Sequence, residues 1–530
     1  MSEPAGAPGV PAPREAATVA EWRRLDRRTV LVTACVMAGV AAGGGLPTAL
    51  GLAGGMPPWQ AFGWVLVGTV LLIAAGSAAD YVRWRRTRYR IGPERAELHT
   101  GLLLVKRRSL ARERIRSVDL SANPLLRILG LVKVRIGTGE HTGGESTLEL
   151  DAVSKAEGER LRTELLARAA TAAGPHREGR LAALDPSWIR YAPVSFVAPL
   201  LGGAAVGGVM QVSEWFGAQG KVIDWVRDRF QDTPLLWMVV VLVVAAVAAG
   251  VVGALGLWIE MWWNYRLERE PGGTLRVRRG LFTARSISIE ERRLRGVELV
   301  EPLGIRLFGA ARLDAVATGL TDDEQDKHAD LKVLLPPAPR AVADEAAAQV
   351  LREPVSPTSA ARLTAHPSAA RIRRLRWALA SALLPPLTLA ALGAWLTPVL
   401  LYIAGACAVV ALPAAVVLAL DAYRSLGHGI SGGYLLARSG TVRRATVALQ
   451  RGGVIGWTVK QSLFQRRAGV LNLTATTAAG AGAYSVYDAA EGEGLEFAAE
   501  AVPGLLEPFL VRDDRVAGCG AAEGGATIPV

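Results

Sequence analysis

The chain has 530 residues, 51% of them hydrophobic and 20% charged, with a formal net charge of +12. With a positive mean hydropathy, so apolar a chain is not an ordinary soluble multidomain protein, and its 3 cysteines cannot build a disulfide framework. The remaining charge must be segregated into modules that alternate with apolar spans.

Residues 1–28, rich in Ala, Pro and Glu at their start, lack the apolar core of a signal peptide and are expected as a disordered leader. A span needs about 20 uncharged, mostly apolar residues to cross roughly 30 Å of hydrocarbon. Six such windows occur: Val30 to Leu52 and Ala61 to Ala79, Tyr191 to Val212 and Pro234 to Ile259, and the uncharged run from Trp377 to Leu420, which crosses twice with a turn near Pro398. The expected order is hairpin 29–80, module 81–172, linker 173–190, hairpin 191–260, module 261–352, basic linker 353–376, hairpin 377–420, module 421–511 and a flexible tail 512–530. Cys35 and Cys407 lie in apolar runs, where a thiol acts as a small hydrophobe, and Cys519 stands in the Gly/Ala tail.

Basic residues flank the first and third hairpins on one side, and the second hairpin turn balances Lys221, Arg227 and Arg229 with Glu214, Asp224, Asp228 and Asp232, so its bias is weak. Arg23, Arg24, Arg27 and Arg28 precede the first span; Arg83, Arg85, Arg86, Arg88 and Arg90 follow the second; Arg371, Arg373, Arg374 and Arg376 precede the fifth. Positive flanks stay in the cytoplasm, so both termini and all modules are expected there, in the cell membrane. The second hairpin turn carries Val222, Ile223, Val226 and Phe230 at helical spacing beside Trp215 and Trp225. That pattern predicts an amphipathic helix on the outer interface.

Each hairpin is followed by one repeated skeleton. A Tyr-Arg pair opens it at Tyr89-Arg90, Tyr265-Arg266 and Tyr423-Arg424. A glycine follows at Gly101, Gly280 and Gly440, and a second one 29 residues later at Gly130, Gly309 and Gly469. An arginine stands three residues before the second glycine, at Arg127, Arg306 and Arg466, and a short strand then runs to Thr138, Thr318 and Thr477. Period-two alternation in Val118, Leu120, Val132, Val134 and Ile136 predicts strands, with Gly139, Gly143 and Gly144 marking a turn. Helices are expected at Val153 to Ala170, Ala341 to Leu351 and Ala489 to Leu510, so each module is a small antiparallel sheet closed by one helix.

The segments Leu98-His99-Thr100-Gly101, Arg114-Ile115-Arg116-Ser117-Val118-Asp119 and Pro124-Leu125-Leu126-Arg127-Ile128-Leu129-Gly130 resemble the bacterial pleckstrin-homology-like domain of YdbS/YdbT-type membrane proteins. Gln461-Ser462-Leu463-Phe464-Gln465-Arg466 repeats the pattern, and Pro302-Leu303-Gly304-Ile305-Arg306 is looser. The resemblance implies six transmembrane helices in three hairpins and three PH-like β-domains of seven strands with a C-terminal helix. It implies no catalytic residue and no cofactor.

Gly429-Ile430-Ser431-Gly432-Gly433 matches a nucleophile elbow, but no histidine follows His428, so a turn is expected there. The scattered histidines His99, His141, His176, His328 and His366 lack zinc spacing, and Glu290-Glu291 and Asp322-Asp323-Glu324 read as solvated charge. Arginines clustered beside the spans are accounted for by insertion topology and attraction to anionic membrane phospholipids, with Arg83, Arg85, Arg86, Arg88, Arg371, Arg373, Arg374 and Arg376 as candidate contacts, and not by nucleic acid. The expectation is a non-enzymatic platform for lipid or for another membrane or cytoplasmic protein. A transporter or channel component is the alternative, disfavoured by spans without ionisable residues.

Overall fold

The computed structural model describes residues 21–101, 105–115, 117–137, 147–170, 179–270, 272–319, 329–509, 511–512 and 526–527. Thr138, Gly139, Gly143, Gly144, His141, His176, the acidic run at 322–324, His328, Cys519 and most of the tail lie outside them.

The first unit runs β1 (Arg23–Arg24), α1 (Thr29–Ala53), α2 (Pro58–Arg86), β2 (Arg88–Ile91), β3 (Arg95–Thr100), β4 (Lys106–Ala111), β5 (Ser117–Ala122), α3 (Pro124–Ile128), β6 (Leu131–Gly137), β7 (Thr147–Ser154) and α4 (Lys155–Ala170). The second repeats it as β8 (Gly179–Ala183), α5 (Val197–Trp215), α6 (Gln219–Phe230), α7 (Leu235–Trp262), β9 (Arg266–Glu270), β10 (Thr274–Arg279), β11 (Ala284–Glu290), β12 (Leu294–Pro302), α8 (Leu303–Leu307), β13 (Ala310–Ala317), β14 (Val333–Pro339) and α9 (Arg340–Leu351). The third has α10 (Pro357–Ala360), α11 (Ser368–Trp395), α12 (Val399–Arg424), β15 (Gly427–Ser431), β16 (Tyr434–Ser439), β17 (Arg443–Gln450), β18 (Val454–Lys460), α13 (Leu463–Arg467), β19 (Val470–Thr477), β20 (Ala483–Ala490) and α14 (Glu491–Ala501).

Among the described residues, five helices are long and apolar enough to cross a membrane: α1, α2, α7, α11 and α12. The expected span from Tyr191 departs from this. Tyr191 is buried in a 3₁₀ turn (Pro186–Tyr191), and α5 begins only at Val197 and is 19 residues long. Glycines and a terminal Gln and Glu lower its hydropathy, yet those glycines let it pack on α7. A Cβ at Gly202 would collide with the Ala246 carbonyl, and one at Gly250 with the Ala198 carbonyl. Helix α6 forms where the amphipathic helix was expected and buries none of its residues.

The glycines of the repeat fall at equivalent positions in the three modules. Gly101, Gly280 and Gly440 each follow the second strand of their module's first sheet, and Gly130, Gly309 and Gly469 each follow the short helix α3, α8 or α13. The latter three have φ of 70°, 67° and 62°, a region L-residues avoid. Each offers its carbonyl to the first residue of its module's closing helix, Lys155, Arg340 or Glu491. The Tyr-Arg pairs are not equivalent, because Tyr89 and Arg90 lie within β2, Tyr265 precedes β9, and Tyr423 and Arg424 end α12.

Among the described residues each module contributes six strands of its own, and the segment upstream of its hairpin supplies a seventh edge contact. Strand β1 pairs with β2, β8 with β9, and Thr364 bridges His428 in β15. The leader and linkers are thereby corrected. Residues 21–28 carry buried Leu25, whose carbonyl accepts from Trp84 Nε1 at 2.8 Å, and Trp188 and Tyr191 belong to the second module's core with Trp258, Trp262 and Tyr265. In the basic linker, α10 buries Pro357 and Thr358, and α11 already begins at Ser368. Apolar side chains in these segments have nowhere drier to go than the adjacent sheet.

Modules do not stand apart. The seven-stranded sheet runs β7-β6-β5-β11-β10-β9-β8 and the six-stranded sheet β14-β13-β12-β17-β16-β15. The second half of each module therefore continues into the first half of the next through β5–β11 and β12–β17. The registers coincide: Ser117 faces Ile289 and Ala122 faces Ala284, as Gly296 faces Leu449 and Glu301 faces Arg444. At Gly296 a Cβ would meet the Ala448 carbonyl. Gly296→Val should thus cost about 1–3 kcal/mol by overpacking and open the chain between modules two and three. Limited proteolysis in detergent should show earlier cleavage there, while a Gly256→Val control, at a glycine with open space, should not.

Candidate functional site

Similar geometry recurs where the strand turns of the modules meet the ends of the long helices. Near the end of α7, Glu260 accepts the backbone N–H groups of Phe282 and Thr283, both at 2.9 Å. Near the end of α12, Asp421 accepts from Thr441 Oγ1 at 2.8 Å and pairs with Arg306 at 2.8 Å and Arg444 at 3.3 Å. In the first unit Asp80 turns to its own hairpin, accepting from Thr33 Oγ1 at 2.8 Å and pairing with Arg83 at 2.7 Å. Charge-assisted bonds of this kind hold a module to the helix that precedes it.

The repeated arginines join modules to one another. Arg127 donates to the carbonyl of Leu281, in the turn after Gly280, and Arg306 Nη1 donates to the equivalent carbonyl of Thr441 at 3.3 Å. Arg466, the third of the series, is exposed.

The expected lipid-contacting arginines divide. Arg373 and Arg374 both bridge buried Asp488, the latter at 3.3 Å, and Gln465 donates to the same carboxylate at 3.1 Å. Arg83 reaches Asp80 and, at 3.7 Å, Asp151. These three tether modules to their own helices. Arg85, Arg86, Arg88, Arg371 and Arg376 are exposed beside the helix ends. Two cavities lie between the first-sheet turn and these helices: one of about 300 Å³ lined by Asp80, Arg83, Lys106, Arg108 and Asp151, and one of about 610 Å³ lined by Arg373, Arg374, Trp377, Asn472, Tyr487 and Asp488. Their mixed charge does not make a simple anion pocket.

An apolar rim was not read from the sequence. Ile128 is 81% exposed, Leu307 75%, Leu463 79% and Phe464 71%, all on the short helices, and Phe308 and Phe282 are exposed beside them. These helices sit at the start of their own hairpins. Arg28 Nη1 donates to the Leu129 carbonyl at 3.0 Å, Gly304 packs on the Val194 backbone, and Gln465 shares Asp488 with Arg373. The sequence signal was a pair of adjacent large hydrophobics within two residues of the repeated arginine, read there only as part of the segments that carry the resemblance.

Asp119 and Glu298, and the pair His366 and His428, are buried groups with shifted ionisation. Asp119 in β5 is pushed up to about 7 by burial, against the pull of Arg135, and burial also raises Glu298 at the equivalent place in β12. His366 Nε2 lies 3.1 Å from His428 Nδ1, and burial lowers both, His428 to about 4. The Gly429–Gly433 motif is the β15–β16 hairpin, with Gly432 at φ 55°, so Ser431 is no nucleophile on an elbow.

Two outcomes follow from these contacts. Asp488→Asn keeps the shape but removes the charge that holds two arginines, and should lower the thermal midpoint and expose the third module to protease, by about 1–3 kcal/mol. Because the folded state favours protonated Asp119, its stabilising difference is present below the carboxylate's ordinary range and is lost as pH rises through about 7. Asp119→Asn should therefore raise the thermal midpoint at pH 8 and leave it nearly unchanged at pH 4, as differential scanning fluorimetry would show.

Comparison with known proteins agrees with this architecture. The bacterial PH domain family model matches residues 41–169 and 370–499, each match taking in part of a hairpin and the module after it. The UPF0699 transmembrane protein YdbT of Bacillus subtilis (strain 168) is 26% identical over 274 residues, 49% of this chain and 55% of that protein. The chain thus spans about half the length of that relative. No solved structure matches.

Proposed function

From the premise that this is a membrane protein of YdbT type carrying bacterial PH domains, we propose that it presents three PH-like modules, suspended from six membrane helices, as a cytoplasmic platform for lipid and protein contact, without catalysis. The observation that carries this reading is the sharing of sheets between neighbouring modules through β5–β11 and β12–β17, a layer tied to helix ends through Glu260, Asp421 and Asp488. Such a layer offers a long, fixed surface close to the bilayer. In this reading α5 completes the second hairpin with α7, and the basic flanks support a cytoplasmic position for both termini and the modules of a cell-membrane protein. The exposed arginines gain on the order of 1 kcal/mol each from anionic lipid, and the apolar rim enters the headgroup region.

Topology is tested by impermeant thiol labelling of Arg107→Cys, Arg292→Cys and Glu496→Cys in a cysteine-free background, with Arg229→Cys in α6 as the opposite face. Labelling of the first three from outside would overturn the scheme. The quadruple variant R85Q/R88Q/R371Q/R376Q should insert normally but lose the added protease resistance that anionic vesicles confer over zwitterionic ones. Equal anionic protection in wild type and variant would reduce these arginines to insertion signals.

A further inference from the structure

The same half of a module junction occurs three times, and among the described residues the third is open. Strands β5 and β12 each accept the third strand of the next module in identical register. Strand β18 stands in their place: it precedes a short helix and a left-handed glycine, and pairs with β19 through the same bulge that β12 makes with β13. Among the described residues β18 pairs with no other strand. Gly456 occupies the position of Gly296, but where Gly296 is pressed by the Ala448 backbone, Gly456 has nothing within 4 Å. Exposed Arg466 is the arginine that in the other two copies clasps the incoming turn.

The first module carries the complementary half, since β4 is the counterpart of β11 and β17 and pairs only with β3 among the described residues. The charges do not match. At the second junction Glu298 takes Arg443 at 3.1 Å and Glu301 lies opposite Arg444. On the open edge Thr458 replaces Glu298, Gln461 replaces Glu301 and Lys460 replaces Val300, with Arg466 and Arg467 following. Docking of a second copy would set Lys460 against Lys106, Val459 against Arg107 and Thr458 against Arg108. Like charges directly opposite are destabilising, and a basic edge strand is a common guard against self-pairing.

We propose that β18 and α13 receive an acidic extended strand from a different polypeptide, added antiparallel in the register of the two internal junctions. This deepens the platform reading and rests on it, naming the surface and the charge of the protein partner.

The test uses the full chain in nanodiscs and two fluorescent peptides: residues 440–450, the strand that β12 holds, and the same peptide carrying R443E and R444E. The acidic peptide should bind at least about tenfold more tightly than the basic one, and K460E/R466E in the full chain should reverse that order. Both substituted side chains are exposed, so folding is not at issue, and unchanged near-ultraviolet dichroism checks it. Absence of saturable acidic-peptide binding, or an order that ignores the charge swap, overturns the proposal. Binding that appears only after removal of residues 510–530 shows that the chain's own tail fills the edge, and a disulfide between G456C and L110C of two copies shows self-docking; either overturns it. Because topology and anionic protection are read by labelling and proteolysis, failure here alone removes the edge and leaves the platform.

Discussion

Antiparallel pairing of β5 with β11 and of β12 with β17 is the interaction on which the rest of the molecule depends. Backbone hydrogen bonds fix strand spacing and register, so two modules sharing a sheet cannot rotate freely against one another. The arrangement also covers edges that would otherwise remain open in a membrane-attached protein. One consequence is a shared core: Tyr434, Leu436 and Ala448 of the third module pack in the cluster that contains Val297, Leu299 and Leu313 of the second.

Fused modules constrain the hairpins in turn. The turn after Gly440 is held at once by Arg306 of the preceding module and by Asp421 of its own helix, so a displacement of one hairpin is transmitted through a single turn to the neighbouring module. Glu260 performs the second of these tasks with backbone donors in the middle copy, whereas Asp80 is occupied within its hairpin. The first unit is accordingly attached by Arg83 to Asp151 and by Arg28 to the Leu129 carbonyl, contacts more exposed to solvent and weaker on that account.

Buried carboxylates also lie in the seams between modules. Asp119 and Glu298 occupy equivalent places in the two joining strands, both with raised ionisation from burial, and Thr458 holds that place on the open edge. A polar group in a seam specifies which strand is accepted more than it strengthens the seam.

Periodicity and spacing in the sequence determined the hairpin-and-module alternation, the threefold repeat, the closing helices and the turn at Gly432, because these depend on local hydropathy and on glycine's access to positive φ. The resemblance carried by residues 98–131 likewise pointed to the bacterial PH domain. Three things required the tertiary structure. Upstream segments with Leu25, Trp188 and Thr364 looked like leader and linker because a strand of two to five residues leaves almost no periodic signal. Arg83, Arg373 and Arg374 looked like lipid contacts because Asp151 and Asp488 are distant in sequence. Edge-to-edge fusion was invisible because any alternating strand has two edges, and only the packing of neighbours decides which edge is covered and by what.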